Sequence, residues 1–143
     1  MVDVSGKTVV YRQASAIGEM ALKPSTVEVI RKGKLEKGDP FPVARVAAIL
    51  AAKNTSSIIP LCHNIPLTSV EVNFTLLDAG VRVQSVVRAS WKTGVEMEAL
   101  VATTVALLTV WDMVKQYEKD EEGQYPETKI HEVRVEQKIK KDS

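Results

Sequence analysis

The stretch Lys92–Lys115, KTGVEMEALVATTVALLTVWDMVK, is the longest apolar segment of this 143-residue chain, and the other elements are arranged around it. After Gly94 the chain has no Gly or Pro before Gly123. Apolar residues would occupy nearly every side of a helix formed by this stretch, which predicts a helix that is buried on most sides. At about 100° per residue, Glu98 and Asp112 fall on one stripe, with Lys115 at its edge. Because buried carboxylates are unfavourable without a cation, a donor or a water-filled cavity, the stripe is expected to open onto a polar site.

The same charges also have a purely structural interpretation. Asp112 and Lys115 have the i,i+3 spacing of an ordinary surface ion pair, and Glu96 and Glu98 would favour the positive end of the helix dipole. Whether the stripe is a site therefore depends on complementary groups from other parts of the chain.

Length and composition predict one domain, residues 1–143, with a core large enough to fold without disulfide or metal cross-links. With 19 basic and 18 acidic residues the net charge is +1, so bulk charge does not attract nucleic acid or an anionic membrane. The single cysteine, Cys62, excludes an intramolecular disulfide and fits a reducing, cytoplasmic location. No secretory signal is recognised, and the apolar run Leu100–Val110 has about half of the roughly 20 residues that a membrane helix needs, so a soluble protein is expected.

Hydrophobic periodicity and turn residues predict the remaining elements. Ser25 is expected to cap a short helix, and Gly38-Asp39-Pro40 is expected to form a turn before the next one. The predicted order is a strand within Lys7–Leu22, helices at Thr26–Lys32 and Val43–Lys53, a hairpin whose strands begin at Thr68 and span Val81–Ala89, the long helix, and a last strand from Ile130. Counting the two short helices as one crossover, this is an α+β, ferredoxin-like βαββαβ domain whose four-stranded antiparallel sheet is covered by helices.

The segment IIPLCHNIPL, residues 58–67, places Cys62 and His63 in an irregular apolar loop broken by two prolines. A histidine there needs hydrogen-bond partners or an opening to solvent, and a satisfied structural histidine is the commoner outcome. With one cysteine and two histidines in the chain, and no paired spacing between them, no metal site is expected.

Lysines beside glycines suggest where an anion could bind. The loop around Lys37 has flexible cations next to glycines, which can hold phosphate but is also common in solvated turns. Lys92-Thr93-Gly94 resembles the end of a phosphate-binding loop, but Trp91 and Val86 stand where glycines are needed, so only the helix N-terminus remains as an anion-binding feature.

Two sets of groups could therefore carry chemistry. The cations Arg12, Lys37, Lys92 and Lys115 together would suit a polyphosphate, and the ionisable groups Asp112, Glu98 and His63 could transfer protons.

Four segments in this order, KGDPFPVARVAAILAAK, IIPLCHNIPL, KTGVEMEAL and TVWDMVK, together with Val2-Asp3-Val4-Ser5 near the start, closely resemble the MoaC family of molybdenum cofactor biosynthesis. The resemblance implies a ferredoxin-like fold and a cytoplasmic homo-hexamer, a trimer of dimers with active sites at the dimer interface. It implies a lyase that converts the 3',8-cyclo-7,8-dihydroguanosine triphosphate to cyclic pyranopterin monophosphate and diphosphate. The substrate is a small molecule, and no metal or organic cofactor is implied.

The resemblance also assigns roles, position by position. Asp112 matches the catalytic aspartate, and Lys115 matches its partner lysine. Glu96 is included although it is expected to point away from Glu98. The substrate-binding positions are Leu61, Cys62, His63, Glu96, Met97, Glu98, Lys37 and Arg12.

Two alternatives compete with this hypothesis. A ferredoxin-like RNA-binding module needs exposed aromatic residues on its central strands, and Val81–Ala89 has none. A non-catalytic oligomer would have no use for unfavourable polar groups such as Glu98 and Asp112 on an apolar helix.

Overall fold

The computed structural model describes residues 1–142, and within that range the chain forms four strands and four helices. In chain order they are β1 Val10–Ala21, α1 Pro24–Arg31, α2 Pro40–Lys53, α3 Thr55–Ile58, β2 Ser69–Leu77, β3 Gly80–Trp91, α4 Glu96–Glu118 and β4 Lys129–Lys141.

The strands form one antiparallel sheet in the order β2-β3-β1-β4, which confirms the predicted α+β, ferredoxin-like arrangement. The predicted strand at Val81–Ala89 is also confirmed, and its alternate residues from Val81 to Ala89 are all buried under the helices. Ser85 lies in the middle of that row, opposite Ala16 of β1, and its hydroxyl has no hydrogen-bond partner among residues 1–142.

Helix α4 lies across the sheet and also packs along α2. Small residues permit the close approach: Ala44 and Ala48 of α2 and Ala102 of α4 are fully buried in one cluster. On the sheet side, a Cβ added at Gly18 of β1 would lie 2.9 Å from Cδ1 of Leu107, so the glycine is needed where helix and strand meet. By length and composition alone α4 resembles a membrane span, but this packing accounts for its apolar character.

Three helix starts differ from the sequence predictions. Helix α1 begins at Pro24 and Ser25 does not cap it, since proline occupies the first turn, where no amide donor is required. Helix α2 begins at Pro40, three residues early, because Asp39 accepts a hydrogen bond from the amide of Phe41 and caps it. Helix α4 begins at Glu96, one residue after Val95, which the sequence had placed within the helix, and it continues to Glu118.

Candidate active site

A cluster of charges occupies the C-terminal half of α4. Lys115 Nζ lies 3.1 Å from Oδ1 of Asp112, and Lys37 Nζ lies 3.4 Å from Oδ2 of the same carboxylate. Lys37 also donates a hydrogen bond of 3.1 Å to the main-chain oxygen of Asp112. The loop between α1 and α2 thus delivers the lysine that the sequence predicted as a phosphate ligand.

The two ammonium groups lower the pKa of Asp112 below its ordinary value of 3.8, Lys115 through the larger hydrogen-bond effect and Lys37 through the second. Asp112 is therefore ionised at neutral pH. Two lysines around one carboxylate leave the cluster with a net charge of +1, and all three side chains are partly exposed, so an anion can reach them.

A second group of predicted residues meets at the N-terminal end of α4, around a cavity of about 230 Å³. The loop after α3 supplies one wall and the first turn of α4 supplies the other. The residues that line it are Leu61, Cys62, His63, Ile65, Thr93, Gly94, Glu96, Met97 and Glu98. Six of the predicted substrate-binding residues therefore line one cavity.

Glu98 is the most buried of the ionisable groups there, with 3% of its surface exposed. Burial raises its pKa above the ordinary value of 4.5, and the nearby charge of Glu96 raises it further. Burial also raises the pKa of the Cys62 thiol, with a smaller effect from the charge of Glu98. Glu98 is thus biased toward the protonated form, which can donate a proton into the cavity.

The expectation that Glu96 points away from the site was wrong. Helix α4 begins at this residue, so Glu96 lies in the first turn and lines the same cavity as Glu98. Its carboxylate is also 3.5 Å from the ammonium of Lys138 on β4, a contact across the fold that helical periodicity could not indicate.

The segment before β1 holds His63 in place, and the sequence assigned no role to it. The Nε2 atom of His63 lies 2.5 Å from the main-chain oxygen of Val2, and Lys92 Nζ lies 3.5 Å from the main-chain oxygen of Ser5. Arg12 reaches the same end of the sheet, where its guanidinium donates a bond of 3.3 Å to the main-chain oxygen of Lys92. The one indication in the sequence that this segment has a role was that Val2–Ser5 is among the segments that resemble the MoaC family.

The two groups of residues are far apart within one chain. Glu98 and Asp112 are separated by fourteen positions of a continuous helix, which at about 1.5 Å per residue is about 21 Å. Within one chain, Lys37 therefore lies beside Asp112, and His63 lines the same cavity as Glu98. The two pairs lie toward opposite ends of α4 and do not meet. Within residues 1–142 no group of three His, Cys, Asp or Glu side chains could hold a metal ion.

Comparison with known proteins gives a consistent result. The sequence model of the MoaC family matches residues 1–141. A probable cyclic pyranopterin monophosphate synthase of Sulfolobus acidocaldarius is 56% identical over 140 residues, which are 98% of each chain. A probable cyclic pyranopterin monophosphate synthase of Pyrococcus furiosus is 56% identical over 142 residues, which are 99% of this chain and 91% of the relative. Because these matches span nearly its whole length, the chain belongs to the MoaC family.

Proposed function

We propose that this protein is a lyase of molybdenum cofactor biosynthesis that converts (8S)-3',8-cyclo-7,8-dihydroguanosine 5'-triphosphate to cyclic pyranopterin monophosphate and diphosphate. Membership of the MoaC family supports the reaction. Within the structure, the observation that carries it is the cluster in which Lys37 and Lys115 flank the carboxylate of Asp112.

The lysines of this cluster suit the triphosphate. Lysine ammonium groups are compact charges that bind phosphate oxygens and stabilise the charge that develops on a departing diphosphate. Both ammonium groups lie within 3.4 Å of Asp112, so a phosphate that binds them lies beside a carboxylate held in its ionised form. The phosphorus atom from which diphosphate leaves would lie at this position, beside the two lysines and the carboxylate of Asp112.

Proton transfers are the other requirement. Closure of the cyclic phosphate joins a hydroxyl oxygen to phosphorus, and that oxygen must lose its proton as the diphosphate leaves. Asp112, whose pKa is lowered by Lys115 and Lys37, is the ionised acceptor nearest the lysines, whereas Glu98, whose pKa is raised by burial, is suited to donate a proton during ring rearrangement.

The proposed site needs two copies of the chain. A group that transfers a proton must come within about 3 Å of the reacting atom, so residues about 21 Å apart on one helix cannot serve the same atoms. A second copy that places its His63 and Glu98 beside Asp112 of the first would complete the site. This agrees with the dimer-interface site that the resemblance implies.

Exposed apolar side chains support an oligomer. Val43, Val46 and Leu50 of α2 follow the i, i+3, i+7 spacing of one helix face and are 49%, 58% and 54% exposed. Beside the His63 cavity, Leu61 is 70% exposed. Such surfaces usually mark protein interfaces, and we propose a hexamer built as a trimer of dimers. The free Cys62 thiol fits a cytoplasmic location.

The function is tested with Asp112→Asn and Lys115→Ala. Diphosphate release from the cyclic triphosphate is expected to fall by about 100-fold or more in either variant. Because both side chains are partly exposed, the folding stability of both variants is expected to stay close to that of the wild type. Glu121→Gln, at an exposed residue of the loop after α4, serves as the control and should retain full activity. A folded Asp112→Asn protein with normal turnover would refute the role given to the carboxylate.

A further inference from the structure

The loop that carries Lys37 is fastened to α4 through its neighbour Glu36. The main-chain amide of Glu36 donates a hydrogen bond of 2.9 Å to the hydroxyl of Tyr117. The carboxylate of Glu36 accepts a second bond of 2.9 Å from Nε2 of Gln116. Both the backbone and the side chain of the residue next to Lys37 are therefore held by consecutive residues of the helix that bears Asp112.

A reverse turn closes this part of the loop, because the amide of Gly38 donates a hydrogen bond of 3.1 Å to the main-chain oxygen of Leu35. Gly33 and Gly38 border it with positive φ angles of 66° and 95°, a conformation that glycine adopts easily and other residues adopt rarely. Between them Leu35 is buried, whereas Glu36 and Lys37 are exposed. An exposed lysine–carboxylate pair contributes little by itself, since side-chain entropy opposes it. The contact of Lys37 with Asp112 therefore depends on where the backbone places Lys37.

Tyr117 is suited to fix that backbone. Its ring packs against the main hydrophobic cluster, so its hydroxyl projects from a supported side chain toward the loop. A tyrosine ring has few rotatable bonds and loses little freedom when it is held in this way. The amide of Glu36 is bound to a fixed point on α4, less than two helical turns from Asp112.

We propose that Tyr117 and Gln116 are positioning residues that hold Glu36 and thereby place the ammonium of Lys37 on Asp112. Neither residue is assigned a contact with the substrate; both act through Lys37. The effect on turnover rests on the proposed function, whereas the effect on the Lys37–Asp112 contact does not.

Tyr117→Phe tests this directly, because it removes the hydroxyl and keeps the ring in the core. Loss of the hydrogen bond is expected to lower kcat/KM for the cyclic triphosphate by about fivefold to tenfold. Gln116→Glu places a carboxylate beside that of Glu36 and is expected to lower kcat/KM in the same direction. Tyr125→Phe is the matched control: its ring contacts Trp111, at 5.2 Å between centroids, and not the Lys37 loop, so kcat/KM should not change.

A double-mutant cycle shows whether Tyr117 acts through Lys37. In a Lys37→Ala background, Tyr117→Phe should cause no further loss, because the side chain that it positions is absent. An undiminished loss in that background would overturn the proposal, as would wild-type kcat/KM in Tyr117→Phe itself.

A second measurement does not require activity. The carboxyl of Asp112 is titrated by NMR in the wild type, Tyr117→Phe and Lys37→Ala. Since Lys37 and Lys115 both lower the pKa of Asp112, release of Lys37 should raise that pKa toward 3.8 in both variants, whereas Tyr125→Phe should leave it unchanged. An unchanged titration in Tyr117→Phe would overturn the positioning role even if the protein turned over the substrate; a wild type without turnover would refute the proposed function alone.

Discussion

Glu98 and Asp112 are carboxyls of the same helix whose acidities are shifted in opposite directions. Glu98 is 3% exposed and burial raises its pKa, whereas the side chain of Asp112 is 61% exposed and Lys115 and Lys37 lower its pKa. Burial therefore favours the neutral, proton-donating form of Glu98, and the two ammonium groups favour the ionised, proton-accepting form of Asp112. We therefore propose that Glu98 donates protons and that Asp112 accepts them.

The burial of Glu98 predicts a pH-dependent effect on stability. Its pKa is higher in the folded protein than the 4.5 of the unfolded chain, so the folded state binds the proton more tightly. Stability from this group is present below about pH 4.5 and is lost as pH rises through the folded pKa. Glu98→Gln, which cannot ionise, should therefore be more stable than the wild type at pH 8, with little difference at pH 4, and less active. Urea denaturation at both pH values measures this.

The control for that experiment is Glu96→Gln. Glu96 lines the same cavity, but its carboxylate is partly exposed and lies 3.5 Å from Lys138. Its substitution should not increase stability at pH 8. A Glu98→Gln protein that loses stability at pH 8 would contradict the assigned direction of the pKa shift.

A site shared between two copies predicts complementation between inactive variants. When Asp112→Asn and His63→Ala chains pair at random, half of the dimers are mixed, and each mixed dimer has one intact site of two, so about one quarter of wild-type activity should return. Co-expression of the two chains in equal amounts, followed by purification through a tag that both carry and a diphosphate assay, measures this.

Asp112→Asn combined with Lys115→Ala serves as the control for complementation. Both residues belong to the same cluster, so every site formed from these chains carries a defect and no activity should return. Recovery in this control, or its absence with His63→Ala, would exclude a site built from Asp112 of one copy and His63 of another.

The hydroxyl of Ser85 is buried, and no group in the described part of the chain forms a hydrogen bond with it. Ser85→Ala removes an unsatisfied polar group and is expected to stabilise the protein by about 1 kcal/mol. Ser15→Ala is the matched control, because Ser15 is also buried but its hydroxyl donates a bond of 3.2 Å to Glu136, so its loss should destabilise. Shifts of opposite sign in the urea midpoint would confirm the difference; destabilisation by Ser85→Ala would mean that the hydroxyl has a partner.

Glu118 is the last residue of α4, and its side chain is fully buried. It accepts hydrogen bonds from the amide of Lys23 and from the hydroxyls of Thr26 and Thr128, which joins three segments to the end of the helix. Glu118→Ala leaves these donors without an acceptor and should destabilise the fold by about 3 kcal/mol or more. Chemical denaturation, with the exposed Glu121→Ala as control, measures the loss; a change below about 1 kcal/mol would contradict the role.

Most of the fold could be predicted because its signals are local. The alternation of β3 and the long apolar run of α4 each reflect one element's own burial pattern, and both predictions were confirmed. The helix starts were less accurate, since the cap at Asp39 depends on a backbone conformation that composition does not specify. The direction of the Glu96 side chain was predicted wrongly, because helical periodicity applies only inside a helix and Glu96 is the first residue of α4.

The sequence by itself determined the order of the elements, the family, and which ionisable residues stand on an otherwise apolar helix. Only the tertiary structure decided which residues meet. Lys37 contacts Asp112, the main-chain oxygen of Val2 contacts His63, and Tyr117 holds the loop that carries Lys37. The physical reason is that a helix separates its own residues by a fixed rise, whereas loops bring distant residues to it at places that depend on packing. The same rigid helix keeps Glu98 and Asp112 apart, which is why we propose that a second copy of the chain brings them to one substrate.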